Sequence, residues 1–387
     1  KDLREARSRN VPMSRGDECI PSTMCAQVLV GHGGADKLVF HDDWPTPRPK
    51  SDEVLIKVGA CGLNPTDINT RTAWYSKKVK EGLTTDGGRG GFGAADAQDA
   101  SWRGLSINFP RIQGADVVGR VVAVGSSVPP SRLNERVLVD PWIKTHPEDP
   151  TQCEYLGSEC DGGACEYTAV PSTHALAIDS DLTDSELATF PCTLHTAETL
   201  ALRLDVQPGE TVVISGASGG VGSAAVQLCH VRGARVIAIA SKSKHDLVRS
   251  LGAAAVVDRN QPQLAAAILK AASNQPIDAA IDVVGGTLFP HLLEVLRRGG
   301  RYAASGAIAG PICEMDLRSL YLKDLRLLGA TVTPVGTMRR LVKLIEERRV
   351  RPVLAKTFPL RQLREAQEML MEKKHVGNIV VTMEEEE

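Results

Sequence analysis

The sequence carries no excess charge of either sign: 45 Lys and Arg stand against 47 Asp and Glu, a net of −2 over 387 residues. That balance removes any global electrostatic case for nucleic acid or an anionic membrane as partner. No apolar run approaches the length of a bilayer span, so no membrane-crossing segment is expected. Regular cysteine spacing is missing too. Nine cysteines, an odd number, are scattered along the chain, which argues against a disulfide scaffold and for reduced thiols in a reducing compartment. The N-terminal extension, residues 1–23, lacks what a leader needs. Arg4, Arg7, Arg9 and Arg15 are mixed there with Asp2, Glu5, Asp17 and Glu18, whereas a transit peptide is poor in acids and a secretory signal has an apolar core. The cytoplasm is the expected compartment, with a mitochondrion or other organelle the alternative that the extension leaves open. Glu384 to Glu387 read as a solvated tail.

What is present starts with length, enough for the cores of two domains. The most informative stretch is Thr211-Val212-Val213-Ile214-Ser215-Gly216-Ala217-Ser218-Gly219-Gly220-Val221-Gly222, followed by the helix-forming run Ser223 to Leu228. A β-branched strand enters a glycine-rich turn that opens onto a helix. Glycines let a backbone approach a pyrophosphate, and the free amides and positive dipole end of the helix face its charge. The turn reads A-x-G-G-V-G, with Ala217 where the first glycine of the usual fingerprint would stand. Strand, turn and helix arrive in the required order, which identifies a dinucleotide site.

From Met24 onward short β-like runs are separated by Gly and Pro clusters: 28–30, 37–40, 54–58, 117–124 and 136–139. The proline-rich piece 44–49 reads as a connector. Residues 80–104 form an irregular insert whose run Gly87 to Gly93 is too glycine-rich for regular structure; it is either a functional cover or a tolerated surface loop. After Asp179 helices and strands alternate. A helix over 183–204, capped by Asp181 or Thr183 with Glu186 in its first turn, precedes the dinucleotide strand. Strands at 235–240, 254–257, 277–284, 301–305 and 325–332 alternate with helices at 244–251, 263–273 and 288–296, which implies a parallel, doubly wound sheet. Two further helices, 337–349 and 360–373, lead to a last strand, 377–381, with no obvious place in that sheet. The expected division is an extension (1–23), a first unit (24–179), a dinucleotide unit (180–333), and a return to the first unit with the acidic tail (334–387).

Four pieces in order, Gly62-Leu63-Asn64-Pro65-Thr66-Asp67, Ile112 to Gly119, Asp161 to Tyr167 and Ala217 to Gly222, resemble the medium-chain dehydrogenase/reductase superfamily in its zinc-free quinone oxidoreductase branch. The resemblance spans about residues 24–383 and implies an α/β fold: a GroES-like β-barrel catalytic domain plus a Rossmann domain with a doubly wound parallel sheet. Zinc members of the family hold their catalytic metal with a Cys, a His and a further Cys or acid. By the resemblance Asn64 stands at the first Cys position, and Gly114-Ala115-Asp116 replaces Gly-His-Glu. A methyl group cannot coordinate a metal, and a catalytic zinc needs three protein ligands. Cys153, Cys160 and Cys165 lack the C-x-x-C spacing of a structural zinc lobe, and Cys165 reads as a small buried hydrophobe. No metal is expected.

The second strand of a dinucleotide unit delivers a residue to the adenosine ribose about 20 positions after the glycine turn. Here that strand ends at Ser241-Lys242-Ser243-Lys244 with no acid before Asp246, which favours NADPH over NADH by charge complementarity. The cofactor contacts expected are Ser218, Gly219, Gly220 and Val221 of the turn, with Ser241, Lys242 and Lys244. The resemblance adds Thr196, Gly285, Gly306 and Asn378, the last replacing a lysine common in relatives.

Without a metal, charge developing on an acceptor must be stabilised by hydrogen-bond donors: Asn64, Thr66 and Tyr75 are the expected catalytic residues. The resemblance places Asn64 towards the nicotinamide ribose or substrate and Tyr75 in the acceptor pocket, as proton donor or as wall. Asp67 and Arg71 are expected to pair and hold the loop. Trp74 and Trp102 bracket the insert and either stack on a flat substrate or pack in the core. His195 is more simply structural than catalytic. The leading expectation is an NADPH-dependent, zinc-independent reductase of quinones or α,β-unsaturated carbonyls. The alternatives are an enoyl- or acrylyl-thioester reductase, or a non-catalytic NADPH-binding subunit of a larger assembly. The resemblance also implies a homodimer or homotetramer joined through the edge strand at 325–332.

Overall fold

A computed structural model of the chain describes residues 20–146, 149 and 151–383. The expectations for residues 1–19 and 384–387 lie outside them. Six strands form a wholly parallel sheet in the spatial order Ala255–Asp258, Arg235–Ala240, Thr211–Ile214, Ile277–Asp282, Leu296–Ala304 and Arg326–Gly329. Val212, Val213, Ile214, Ala279, Ala280 and Ile281 are all 0% exposed, because helices cover both faces, and this is why these strands read as continuous apolar runs. Strand order reverses between Thr211–Ile214 and Ile277–Asp282. Such a switch point leaves a crevice beyond the carboxyl ends of the strands.

The other described strands form a three-stranded sheet, a seven-stranded sheet and a two-stranded one, the GroES-like part of the fold. The strand Glu53–Leu63 is central to the seven-stranded sheet, pairing antiparallel with Asp116–Val124, Tyr167–Pro171 and Asn378–Thr382. The last strand of the chain therefore lies beside one of its first. Leu38–Pro45 is an edge strand of the three-stranded sheet, where a terminal proline forfeits no ladder bond.

The helix Pro191–Arg203 joins the two sheet systems. Its Leu194, Ala197 and Leu200 share one apolar cluster with Ala60, Val118 and Leu138 on one side and Val212, Ala224 and Val236 on the other. The expected continuous helix over 183–204 is in fact two. Asp184–Leu187 is capped by Thr183, whose hydroxyl accepts from the Glu186 amide, and a new helix starts at Pro191. Proline has no amide proton to donate to the preceding turn, so it opens a helix rather than continuing one.

The glycine-rich insert also departs from expectation. Thr85–Gly90 is a short helix, with the Thr84 hydroxyl accepting from Gly87 N at 3.0 Å. Its glycines allow close approach: a Cβ on Gly88 would meet Met371 Cε at 2.3 Å. Just before it, Leu83 is buried with Ile68 and Met371, and Ile308 packs against that cluster. Leu83 N donates to Ile308 O at 3.0 Å. The insert is thus fastened to both sheet systems. No helix among the described residues is long and apolar enough to cross a membrane.

Candidate active site

Asn64 follows the strand Glu53–Leu63 and opens the helix Pro65–Thr72, so its side chain leaves the sheet at a fixed point. Its backbone amide donates to Asp67 Oδ2 at 2.8 Å, and its Nδ2 donates to Asp116 Oδ2 at 2.8 Å. The other Asp116 oxygen accepts from the backbone amide of Cys192 at 2.5 Å, in the first turn of the helix Pro191–Arg203. One buried carboxyl group thus ties the start of the helix Pro65–Thr72 to the joining helix. Burial raises the Asp116 pKa to about 8, against the lowering effect of both donors. Asp67 is raised to about 6 by the same cause, opposed by bonds from Asn64 N and Gly114 N.

Thr66 and Tyr75 meet directly, their hydroxyls 2.9 Å apart. Burial raises the Tyr75 pKa, so the phenol keeps its proton at neutral pH and remains a donor. Ala115 is fully buried among Trp142, Cys153, Tyr155 and Cys192, with Trp102 and Val332 packed alongside. Tyr155 OH donates to Cys192 Sγ at 3.0 Å. Burial pushes the Cys192 thiol well above its ordinary range, with the Asp116 charge acting in the same direction.

One expectation about side chains in this region is corrected, and the surroundings of Trp74, Trp102 and His195 come into view beside it. Asp67 and Arg71 do not pair. Arg71 is buried and donates instead to Gln367 Oε1 at 2.9 Å, Gly33 O at 3.0 Å and Gly88 O at 2.8 Å. Asp67 accepts from the amides of Asn64 and Gly114 instead, so the two residues, one turn apart on the same helix, hold different loops. Trp74 and Trp102 pack in separate clusters, one with Leu83 and Met371, the other with Trp142, so they form no two-tryptophan clamp. His195 is 2% exposed, bonded through Nδ1 to Thr333 Oγ1 at 3.2 Å, with Nε2 3.8 Å from Asp140 Oδ1. Burial lowers its pKa to about 3, so it stays neutral and structural.

The glycine turn lies at the switch point. Gly216 has φ +56° and Ala217 is fully buried. A Cβ at Gly222 would lie 2.1 Å from Gly216 O. The first intrahelical bond runs from Ser223 N to Gly219 O, so the preceding amides, Gly220 and Val221 among them, are those a helix start leaves unpaired. A Cβ at Gly220 would meet Asn378 Oδ1 at 2.4 Å and Thr193 Cγ2 at 2.7 Å. Gly377 N donates to Ser218 O at 3.0 Å. Turn, joining helix and returning strand therefore meet at one point. Thr196 is partly exposed while its neighbours His195 and Ala197 are buried.

Asp282 fastens the crevice. It accepts from Ser215 Oγ at 2.5 Å, Tyr302 OH at 2.7 Å and the amides of Val284 and Gly285, which sets Gly285 at φ +64°. Gly306 is exposed, and a Cβ there would lie 3.0 Å from Val283 O. Ser241 is partly exposed and Lys242 exposed at the end of the strand Arg235–Ala240. Lys244 is placed differently from its neighbours: its ammonium donates to Lys373 O at 3.1 Å and His375 O at 2.6 Å.

Two elements of this arrangement match known families: the GroES-like domain of alcohol dehydrogenases over residues 50–180 and a zinc-binding dehydrogenase domain over 220–347. A solved structure from Sinorhizobium meliloti, named for an alcohol dehydrogenase, is 44% identical with a TM-score of 0.86, covering 94% of this chain and 98% of that one. The chain belongs to the medium-chain dehydrogenase/reductase superfamily. Among curated members of the superfamily, the NADPH-dependent alkenal/one oxidoreductase of Arabidopsis thaliana chloroplasts is 29% identical, covering 94% of this chain and 81% of that protein. The acryloyl-coenzyme A reductase of Metallosphaera sedula is 27% identical, covering 93% and 100%. The superfamily is one of oxidoreductases that bind nicotinamide cofactors, and the crevice above has its switch-point layout. Asp116, Cys192, Tyr155 and Asp282, which the fold brings to this region, are not among the residues expected from sequence. Asp116 lies inside the stretch Ile112 to Gly119, but nothing local reveals that its partners are Asn64 and Cys192.

Proposed function

We propose that this protein is an NADPH-dependent reductase of quinones or α,β-unsaturated carbonyl compounds that works without a metal. The observation that carries the metal-free reading is Ala115, a buried methyl group at the position of the zinc enzymes' imidazole. The other groups around it do not fit a zinc ion either. The Asn64 amide is committed to Asp116, and the Cys192 thiol holds its proton beside Tyr155. Zinc binds thiolates, imidazoles and carboxylates, with three protein ligands around a catalytic ion.

The glycine turn fits a dinucleotide, since its unpaired amides lie at the switch point and the turn is too tight at Gly222 for a side chain. The bound nicotinamide would supply the hydride. The protein's part is to receive the charge that builds on the acceptor oxygen. The Tyr75–Thr66 pair offers one hydroxyl proton to such an oxygen while the other hydroxyl holds its partner in place. An enone or quinone spreads incoming charge by conjugation and so can react on hydrogen bonds alone. The Arabidopsis relative supports this class.

Steady-state oxidation of NADPH against a panel of quinones and enones, with and without a chelator, tests the proposal. Chelator-insensitive turnover is expected; no turnover with any acceptor, despite bound cofactor, would sink it. A second reading, an enoyl-thioester reductase, is favoured by the Metallosphaera relative; acryloyl-CoA turning over far faster than free enones would select it. We take residues 180–333 as the dinucleotide unit, inserted into the first. A homodimer would form along the edge strand Arg326–Gly329, beside the exposed Leu317, Tyr321 and Leu322. The free thiols of the described residues suit a reducing compartment such as the cytoplasm.

A further inference from the structure

Beyond the end of the strand Arg235–Ala240, where the sequence places only Ser241 and its lysines, the fold brings in a residue from a different strand. Arg259 follows the neighbouring strand Ala255–Asp258, and its backbone amide donates to Ala240 O at 3.0 Å. The side chain of Arg259 is exposed, and no hydrogen bond or ion pair engages it among the described residues. The cations around it are already committed. Lys244 donates to the carbonyls of Lys373 and His375, and Lys373 Nζ donates to Leu83 O at 2.8 Å.

The pKa values of Lys244 and Lys373 are both lowered, first by burial and then by the positive charge of Arg259. Three like charges thus gather at one end of the sheet, and no carboxylate is paired with any of them among the described residues. The acids next in sequence are turned to other tasks: Asp258 Oδ1 accepts from Asn260 N at 3.1 Å, and Asp246 is paired with Arg249 at 2.8 Å. A cluster of this kind favours a dianion, and a guanidinium matches phosphate with two parallel bonds where an ammonium offers a point charge.

We propose that Arg259 grips the 2′-phosphate of the cofactor and sets its preference for NADPH over NADH. The inference rests on the NADPH reading above and deepens it. Lys244 and Lys373 then act as positioning residues, joining the dinucleotide unit to the carboxyl end of the helix Leu363–Glu372.

The test is calorimetric titration of the full chain with 2′,5′-ADP and with 5′-AMP, which differ only in the 2′-phosphate. The wild-type protein is expected to prefer 2′,5′-ADP. Arg259→Ala should weaken 2′,5′-ADP by about tenfold or more while leaving 5′-AMP within about twofold, and Arg259→Lys should recover part of the loss by restoring charge without the fork. Unchanged 5′-AMP binding shows that the variant is folded. A preference that survives in Arg259→Ala overturns this assignment but leaves the NADPH reading standing. Equal weakening of both ligands also overturns it, since that would mark Arg259 as a support for adenine. A wild-type protein with no preference defeats the NADPH reading itself, and this assignment with it.

Discussion

At Asp116 a carboxyl that is 1% exposed accepts from Asn64 and Cys192, yet burial still carries its pKa to about 8. Unfolded, such a group titrates near about 3.9. Between those values the folded state holds a proton that the unfolded state has released, so this group's contribution to stability is full at low pH. It is lost as pH rises to about 8, then levels off. The thermal midpoint of the wild type is expected to fall across that window, and Asp116→Asn to flatten the fall. The neutral amide can still accept from Cys192 N and donate to a turned Asn64. Parallel profiles for the two proteins in scanning calorimetry would rule Asp116 out as the source. Tyr75 makes the kinetic prediction at this scale. Removing one donor to a developing oxyanion costs about 100- to 1,000-fold in kcat elsewhere. Tyr75→Phe should therefore lower kcat for an enone strongly with NADPH affinity unchanged, whereas a mere wall residue would shift KM instead.

Among the elements, the turn between Thr211–Ile214 and Gly220–Val231 tolerates least. A Cβ on Gly222 would press on a backbone oxygen 2.1 Å away, while one on Gly219 would stand 3.5 Å from Gly216 O, an ordinary contact. Gly222→Ala is expected to destabilise by about 1–3 kcal/mol, the usual cost of overpacking, and to weaken NADPH. Gly219→Ala should keep the stability of the wild type. Chemical denaturation of both variants checks the contrast, and equal stability would show that the turn relaxes. The parallel strands were legible because their burial on both faces writes unbroken apolar runs into the chain. The helix Thr85–Gly90 was not, since Gly88 answers to Met371 and Gly87 to Phe92 rather than to local propensity.

On the scale of the whole molecule, the parallel sheet ends at Arg326–Gly329 with Leu317, Tyr321 and Leu322 exposed at 61%, 60% and 55%. An open strand edge beside apolar side chains is a surface that proteins cover or charge. Replacing Tyr321 and Leu322 together with Asp is expected to convert a dimer to a monomer in sedimentation velocity without unfolding it. A wild-type protein that is already monomeric would refute the interface.

Local order in the chain was enough for the fold class and the strand–turn–helix at Thr211 to Leu228, and it put a methyl group, Ala115, where the resemblance led one to look for an imidazole. Periodicity, turn chemistry and the identity of one side chain are properties of neighbours in sequence. Only the tertiary structure decided that Asn64 meets Asp116, that Asp116 meets Cys192, that Arg71 serves the insert instead of Asp67, and that Arg259 stands beside Ser241 and the lysines. Those partners lie far apart along the chain. A buried polar or charged group takes whatever partner the packed core brings to it, and burial then sets its protonation state.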